Sequence, residues 1–294
     1  VGYIGAHTVV ELIQQEYEVV IIDDLSRSKE EVLDEIEGIT GVRPDLAIFN
    51  LCDEEKLDLF FRAHPDIAAV IHFAASLLVD ESVAKPLHYY RNNLVSLINL
   101  LEVQKVHGVR PMVFSSSCTV YGQPDELPVG EEAPVKPAES PYGNTKQISE
   151  EIIRDAIRAE IGVEAIALRY FNPIGAHPSA RIGELPGGGI HHLVPYITAV
   201  ASGARPKLRV FGDDYDTPDG TCLRDYLHVV DLARAHIVAT RRLIDRANAR
   251  PFEIFNLGTG RGTSVLEMIR AFERATGIEI PHEIAPRRPG DVEN

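Results

Sequence analysis

Apolar residues in this chain fall into short continuous runs, separated by stretches in which they recur every three or four positions. Val9, Leu12 and Ile13 fit one helical face, and Glu18-Val19-Val20-Ile21-Ile22 reads as a buried parallel strand ending at Asp23-Asp24. The alternation continues through a helical stretch near 29–37, a strand near 45–51, a helix near 54–63 and the strand Ala69-Val70-Ile71-His72-Phe73. A long helix near 84–107, a strand near 111–116, a helix from 142 to 160 and a strand near 164–169 follow. Repeated strand–helix alternation predicts an α/β fold, a Rossmann-like doubly wound parallel sheet with helices on both faces. In the long helix Leu94, Val95, Leu97, Ile98, Leu100, Leu101 and Val103 run nearly all the way round. A surface helix needs one apolar stripe, so this one is expected to bury two faces, the second against another subunit.

The pattern changes after Tyr170-Phe171-Asn172. Prolines and glycines concentrate from Pro173 to Gly189, and Phe211 to Gly220 is a turn-rich loop. The expected division is a nucleotide-binding domain over 1–172 and a smaller, mainly substrate-binding domain over 173–294. The apolar strand Phe252–Leu257 is expected to return to the sheet. Both ends read as cut: Val1-Gly2-Tyr3-Ile4-Gly5 looks like the tail of a glycine-rich turn whose first glycine and strand are missing, and the C-terminal segment stops short.

Chemistry enters at the strand ends. Gly2 and Gly5 are spaced like the last two glycines of a phosphate-binding turn that opens a helix. Asp23 stands about 20 positions on, where a dinucleotide fold grips the adenosine ribose hydroxyls. An acid there repels a 2′-phosphate, which favours NAD over NADP. Farther along, Ser115-Ser116-Ser117 ends a strand, and Ser140-Pro141 supplies an N-cap and a first helical residue. Tyr142 and Lys146 then lie one turn apart on one helical face, so the ammonium is expected to lower the phenol pKa from its ordinary value near 10. A serine, a tyrosine base and a lysine suit proton removal from an alcohol during hydride transfer.

Composition narrows the class. A net charge of −15 argues against nucleic acid and anionic membrane as partners, and no apolar run reaches membrane-spanning length. The 3 cysteines are isolated in sequence, which suits a reducing, cytoplasmic setting, and the 11 histidines show no zinc-site spacing, so no metal is expected.

With Gly2-Tyr3-Ile4-Gly5, His72-Phe73-Ala74-Ala75, Ser115 through Gly122, Ser140-Pro141-Tyr142-Gly143 with Lys146, and Arg169 through Pro173 in order, the chain resembles the UDP-glucose 4-epimerases. These are extended short-chain dehydrogenases/reductases. The most specific stretch is Asp219-Gly220-Thr221-Cys222-Leu223-Arg224-Asp225-Tyr226-Leu227-His228-Val229, and Ala285 through Asp291 closes the match. The resemblance implies that Gly2, Tyr3, Ile4 and Gly5 approach the NAD pyrophosphate, with Asp23 and Ser28 on the adenosine ribose. It further implies a cofactor lining of Asn50, Leu51, Phe73, Ala74, Asn92, Ser115 and Tyr170, and a second role for Lys146 on the nicotinamide ribose. Ser117 and Thr119 would contact the sugar, Tyr142 would act as base, and Asn172, His192, Leu193, Arg224, Arg288 and Asp291 would hold the UDP part. Arginine suits a diphosphate because its planar fork matches phosphate oxygens.

The implied reaction takes the sugar O4 proton onto Tyr142, directly or through Ser117, while the C4 hydride passes to NAD. The 4-keto sugar swings over and takes the hydride back on its other face, so NAD stays bound. A homodimer is implied as well. Three positions depart from the family pattern: Asn50 stands where many members carry Asp, Leu77 where some carry Lys, and His191-His192 where others carry Asn-Asn. Another UDP-sugar 4-epimerase (hexuronate, pentose or N-acetylhexosamine) is the nearest competing reading. A 4,6-dehydratase fits less well, since that family carries Thr-Asp-Glu where this chain has Cys118-Thr119-Val120. A non-catalytic NAD-sensing protein is the outsider.

Overall fold

The computed structural model describes residues 1–185, 189–190 and 192–287. From the amino end, α1 (Tyr3–Gln14), β1 (Val20–Asp23), α2 (Val32–Thr40), β2 (Asp45–Ile48), α3 (Glu54–Ala63) and β3 (Val70–His72) alternate as the apolar periodicity predicts. After α4 (Val79–Ala84), α5 (Pro86–Tyr90) and α6 (Ser96–His107) come β4 (Pro111–Ser117), α7 (Pro141–Arg158) and β5 (Glu164–Tyr170). The rest comprises β6 (Asn172–Ile174), α8 (Leu193–Ala201), β7 (Leu208–Phe211), β8 (Leu223–His228), α9 (Val229–Ile244), β9 (Phe252–Leu257), β10 (Gly262–Ser264), α10 (Val265–Thr276) and β11 (His282–Ala285).

Strands β3, β4, β5 and β9 form one parallel sheet in that order, and β1 pairs with β2 in a second parallel unit. The expected return of Phe252–Leu257 is therefore seen, with Ala165 opposite Phe252. Why the central strands read as continuous apolar runs is visible in their two faces. Met112, Phe114, Ala165 and Ala167 pack against Leu97 and Leu101 of α6 and Ile153 of α7. Val113, Ile166 and Leu168 point the other way, onto Ala239 and Leu243 of α9. With both pleat faces buried, no position can be left polar without a partner. This is the doubly wound arrangement expected from the sequence. No described helix is long and apolar enough to cross a membrane.

Two differences from the sequence expectation have local causes. The helix expected near 84–107 is broken: α4 ends at Ala84, Pro86 restarts α5, and Arg91–Val95 forms a π turn before α6. Proline cannot donate into the preceding turn, so it opens a helix and does not continue one. Helix α9 went unread, yet it packs on α1 and β4. Its buried residues Leu232, Ala233, His236, Ile237, Ala239, Thr240 and Leu243 include polar ones that blur the stripe. A separate small core gathers Ile197 and Val200 of α8, Leu208 and Val210 of β7, Ile269 of α10, and Ile280.

Candidate active site

The site is built at the carboxyl ends of β4 and β5, where an open α/β sheet leaves its crevice. In-register pairing sets Ser115 opposite Leu168, Ser116 opposite Arg169 and Ser117 opposite Tyr170. Helix α7 starts beside them because Ser140 accepts the Gly143 amide at 3.1 Å and Pro141 takes the first helical position. Tyr142, Lys146 and Glu150 then recur every four residues, so they form one stripe facing β4.

Each member of the stripe meets a different part of the strand. Lys146 is 5% exposed, and its ammonium donates to the Ser115 carbonyl oxygen at 2.6 Å. It sits 4.9 Å from the Phe114 ring centroid and 5.9 Å from that of Tyr142. Burial pushes Lys146 down to about 8, with Glu150 working against the fall. Glu150 accepts from the Ser116 hydroxyl at 2.6 Å and takes Arg169 in a two-pronged pair at 2.9 and 2.6 Å. Arg169 also lies over the Tyr121 ring at 4.8 Å. The pair is buried on both sides, so each charge depends on the other for its solvation.

Tyr142 behaves otherwise than expected. Burial pushes its phenol well above the ordinary value, Tyr170 adds to the rise, and a hydrogen bond with Ser117 opposes it. Lys146 is turned to the Ser115 carbonyl, so the expected lowering by the ammonium is not expressed in this arrangement. Tyr170 is bonded through its hydroxyl to Ser115 and is pushed up to about 12 by burial. Thr119 carries a buried hydroxyl oxygen without a hydrogen-bond partner among the described residues, next to Ser117, whose oxygen accepts the Thr119 amide at 3.2 Å.

The second part of the crevice lies around the start of α1. Gly2 caps this helix without any side-chain bond, no acid stands in the first turn, and a Cβ built on Gly2 would meet nothing within 4 Å. Free amide dipoles and open space at a helix start fit an anion such as a pyrophosphate. Ile4 and Gly5 lie in that first turn, and a Cβ on Gly5 would stand 3.9 Å from the Phe73 ring. Tyr3 points elsewhere, donating to the Gly175 carbonyl at 2.6 Å. Asp23 accepts the Leu25 amide at 2.8 Å and the Ser28 hydroxyl at 2.9 Å, which shapes the loop after β1. Asn50 donates to Asp24 at 2.7 Å and reaches Asn92 at 3.3 Å. Although partial burial works against it, bonds from Ser26 and Asn50 hold the Asp24 carboxyl below the usual range. Phe73 stacks obliquely on His236 with centroids 4.6 Å apart, and Ala74 beside it is exposed.

Not every expected residue converges. The Leu51 side chain is buried in the core with Leu57, Phe61 and Leu100, which leaves only its backbone to face the crevice. Asn172 donates to the Asp225 carbonyl at 3.1 Å and ties β6 to β8, while Arg224 donates to the Leu223 carbonyl at 2.6 Å. His192 is bonded to Glu184 just before Leu193 opens α8. Arg288 and Asp291 lie outside the described residues.

Several supporting residues escaped the sequence reading. Glu150 continues the Tyr142–Lys146 stripe by one further turn, and a charged Arg169 inside an apolar strand was the matching signal. Asn93 receives the Ser76 amide at 2.8 Å and donates to Thr145 at 3.1 Å, fixing the loop after β3 to α7. Asp225 binds the Thr259 and Gly260 amides at 2.9 and 2.8 Å, which joins β8 to the loop after β9.

Comparison with known proteins agrees with this geometry. The model of the NAD dependent epimerase/dehydratase family matches residues 1–258. A UDP-glucose 4-epimerase of Bacillus subtilis is 49% identical over 293 residues, which are 99% of this chain and 84% of that protein. The solved UDP-glucose 4-epimerase of Stenotrophomonas maltophila, with bound NAD and formylated UDP-arabinopyranose, superposes with a TM-score of 0.95 at 46% identity. That match covers 99% of this chain and 85% of the other. The enzyme of Bifidobacterium longum, in complex with NAD+ and UDP, gives a TM-score of 0.92 at 46% identity over the same shares.

Proposed function

The chain belongs to the NAD dependent epimerase/dehydratase family, and from that premise we propose that it is a UDP-glucose 4-epimerase, interconverting UDP-galactose and UDP-glucose. The carrying observation is the Tyr142–Lys146–Glu150 stripe set against the carboxyl end of β4, with Ser117 bonded to the tyrosine that serves as base. NAD, when bound, supplies a hydride acceptor that becomes the donor for the return step.

The residues divide the work. Gly2, Tyr3, Ile4 and Gly5 meet the pyrophosphate through the uncapped start of α1, with Asp23 and Ser28 on the adenosine ribose. Asn50, Phe73, Ala74, Asn92, Ser115 and Tyr170 line the remainder, and Leu51 contributes through its backbone. Tyr142 takes the proton from the sugar O4, directly or by way of Ser117, and returns it after the 4-keto sugar has turned over. Lys146 holds the nicotinamide ribose and supplies positive charge near the phenolate. Thr119 offers the sugar its buried hydroxyl, which has no partner among the described residues. Asn172, His192, Leu193, Arg224, Arg288 and Asp291 hold the UDP end, so the sugar itself is loosely held and free to rotate.

Residues 1–172 act as the cofactor domain, and the core around α8, β7 and α10 belongs to the substrate domain. The exposed apolar side chains Val83, Leu87 and Ile98 along α4 to α6 support a homodimer, and the acidic balance with isolated cysteines supports a cytoplasmic setting. The test of the activity is conversion of UDP-galactose by full-length protein without added NAD and without released NADH. If UDP-glucuronate or UDP-xylose turns over well and UDP-galactose does not, the neighbouring epimerase reading replaces this one.

A further inference from the structure

Two loops flank the start of α1. One follows β1 and carries Leu25 to Ser28; the other follows β3 and runs from Phe73 to Leu78. Both leave the carboxyl ends of parallel strands, so a ligand in the crevice lies between them. The Arg27 guanidinium on the first loop donates to Glu81 of α4, directly after the second.

Glu81 is no loosely held surface acid. It accepts from Lys85 at 3.1 Å and from the Tyr89 hydroxyl at 3.1 Å. Tyr89 is fully buried, and its oxygen in turn accepts the Leu78 amide at 3.0 Å. One carboxylate thus gathers the end of the second loop, α4 and α5, while Arg27 answers its charge from the opposite bank. Arg27 is itself presented by a loop that Asp23 fixes at the Leu25 amide and the Ser28 hydroxyl. Leu77, 49% exposed on the second loop, brings no charge where some relatives are expected to carry lysine.

We propose that Arg27 and Glu81 form a clasp over the bound dinucleotide, a link that must break before the cofactor can leave. The inference rests on the NAD reading above and adds positioning residues for retention of the cofactor. A dinucleotide held by Asp23 and Ser28 on one side and by Phe73 and Ala74 on the other lies beneath the bridge, and the two loops must part to free it. Arg27 is bonded to Glu81 and not to Ser117 or Tyr142, so its loss leaves the chemical step alone, whereas Glu81 touches Tyr89, which itself acts on Tyr142.

The experiment follows loss of bound NAD from full-length protein by gel filtration and quantification of the retained dinucleotide over time. Arg27→Gln is expected to release NAD on the order of fivefold faster at low salt, the scale of a partly exposed ion pair. The gap closes near about 0.5 M salt, where screening weakens the wild-type pair as well. Turnover per NAD-loaded site stays at the wild-type level. Glu81→Gln keeps an oxygen for Tyr89 and removes the charge; adding Arg27→Gln to it has no further effect on release. Equal release from wild type and Arg27→Gln, or additive effects in the double variant, overturns the clasp alone. Wild-type protein devoid of dinucleotide overturns the NAD reading and the clasp with it.

Discussion

The reacting corner and the nucleotide end of the crevice are built on opposite plans. Ser115, Ser117, Tyr142, Lys146 and Tyr170 stand on two neighbouring strands and one capped helix, within a single stretch of 56 positions from 115 to 170. Their backbones are fixed by sheet register and by the Ser140 cap, and their side chains by buried bonds. The residues proposed for the nucleotide come instead from β6, the approach to α8 and the start of β8, far apart in sequence and half-buried or exposed. Rigid placement serves a group that must meet one proton at one angle. Looser, distributed contacts serve a handle that holds the substrate while its sugar turns over.

The largest effect should therefore fall at the corner. Tyr142→Phe keeps the ring and its packing but removes the ionisable oxygen. Loss of a general base costs roughly 10²–10⁴-fold in turnover, while UDP-sugar binding measured by calorimetry stays within about threefold. Turnover near the wild-type level would remove this tyrosine from the chemistry, and an equal loss of binding would blur the division between the two ends.

Lys146 sharpens the same side through pH. Its folded value, about 8, lies below the ordinary lysine value. Between about 8 and about 10.4 the unfolded chain binds more protons than the folded one, so this group makes stability rise with pH there. Below that window both states are charged and the buried ammonium carries a constant cost. Lys146→Met removes the rise, by at most about 1.4 kcal/mol per pH unit. Subtracting melting curves of the two proteins from pH 7 to 10 isolates it from other titrating groups. Parallel curves would mean that Lys146 does not feel its burial. The same substitution should lower turnover, since the nicotinamide ribose loses the ammonium proposed to hold it.

The contrast also explains what the sequence disclosed. Strands β3, β4 and β5 were readable because both faces of each are buried, which leaves an unmistakable apolar run. The start of α7 was readable because a cap, a proline and two functional residues share one turn. Glu150 and Arg169 were not, because a buried ion pair looks like two ordinary surface charges until register brings them together. Leu51 entered as a cofactor neighbour through the resemblance alone, and its side chain packs with Leu57, Phe61 and Leu100 in the core. The nucleotide end was legible only through resemblance, since His192, Arg224 and Asn172 stand far apart in sequence with no local pattern that links them.

At that end Arg224 should matter most among the described residues. It stands in β8, where Asn172 also docks through the Asp225 carbonyl. A charge-assisted bond to a phosphate contributes about 1.5–3 kcal/mol, so Arg224→Met should raise KM for the UDP-sugar roughly ten- to a hundredfold. Binding shared by ground and transition states changes KM and leaves kcat alone. A fall in kcat with KM unchanged would place Arg224 with the reacting corner and dissolve the contrast.

His192 gives the smallest effect and the finest test. It precedes Leu193 as the cap of α8, its side chain is 55% exposed, and its partner is Glu184. His192→Asn restores the residue type that the resemblance leads one to expect, and asparagine is a good cap for the helix. The substitution gives up an exposed hydrogen bond to Glu184, whose contribution is about 1 kcal/mol. Cap and lost bond work in opposite directions, so kcat/KM for UDP-galactose should change by less than about threefold. The melting temperature should hardly move. A tenfold gain would show that the histidine, held by Glu184, keeps the uridine side less well gripped than asparagine would. A tenfold loss would show that His192 itself touches the nucleotide, and that this end is as exacting as the corner that does the chemistry.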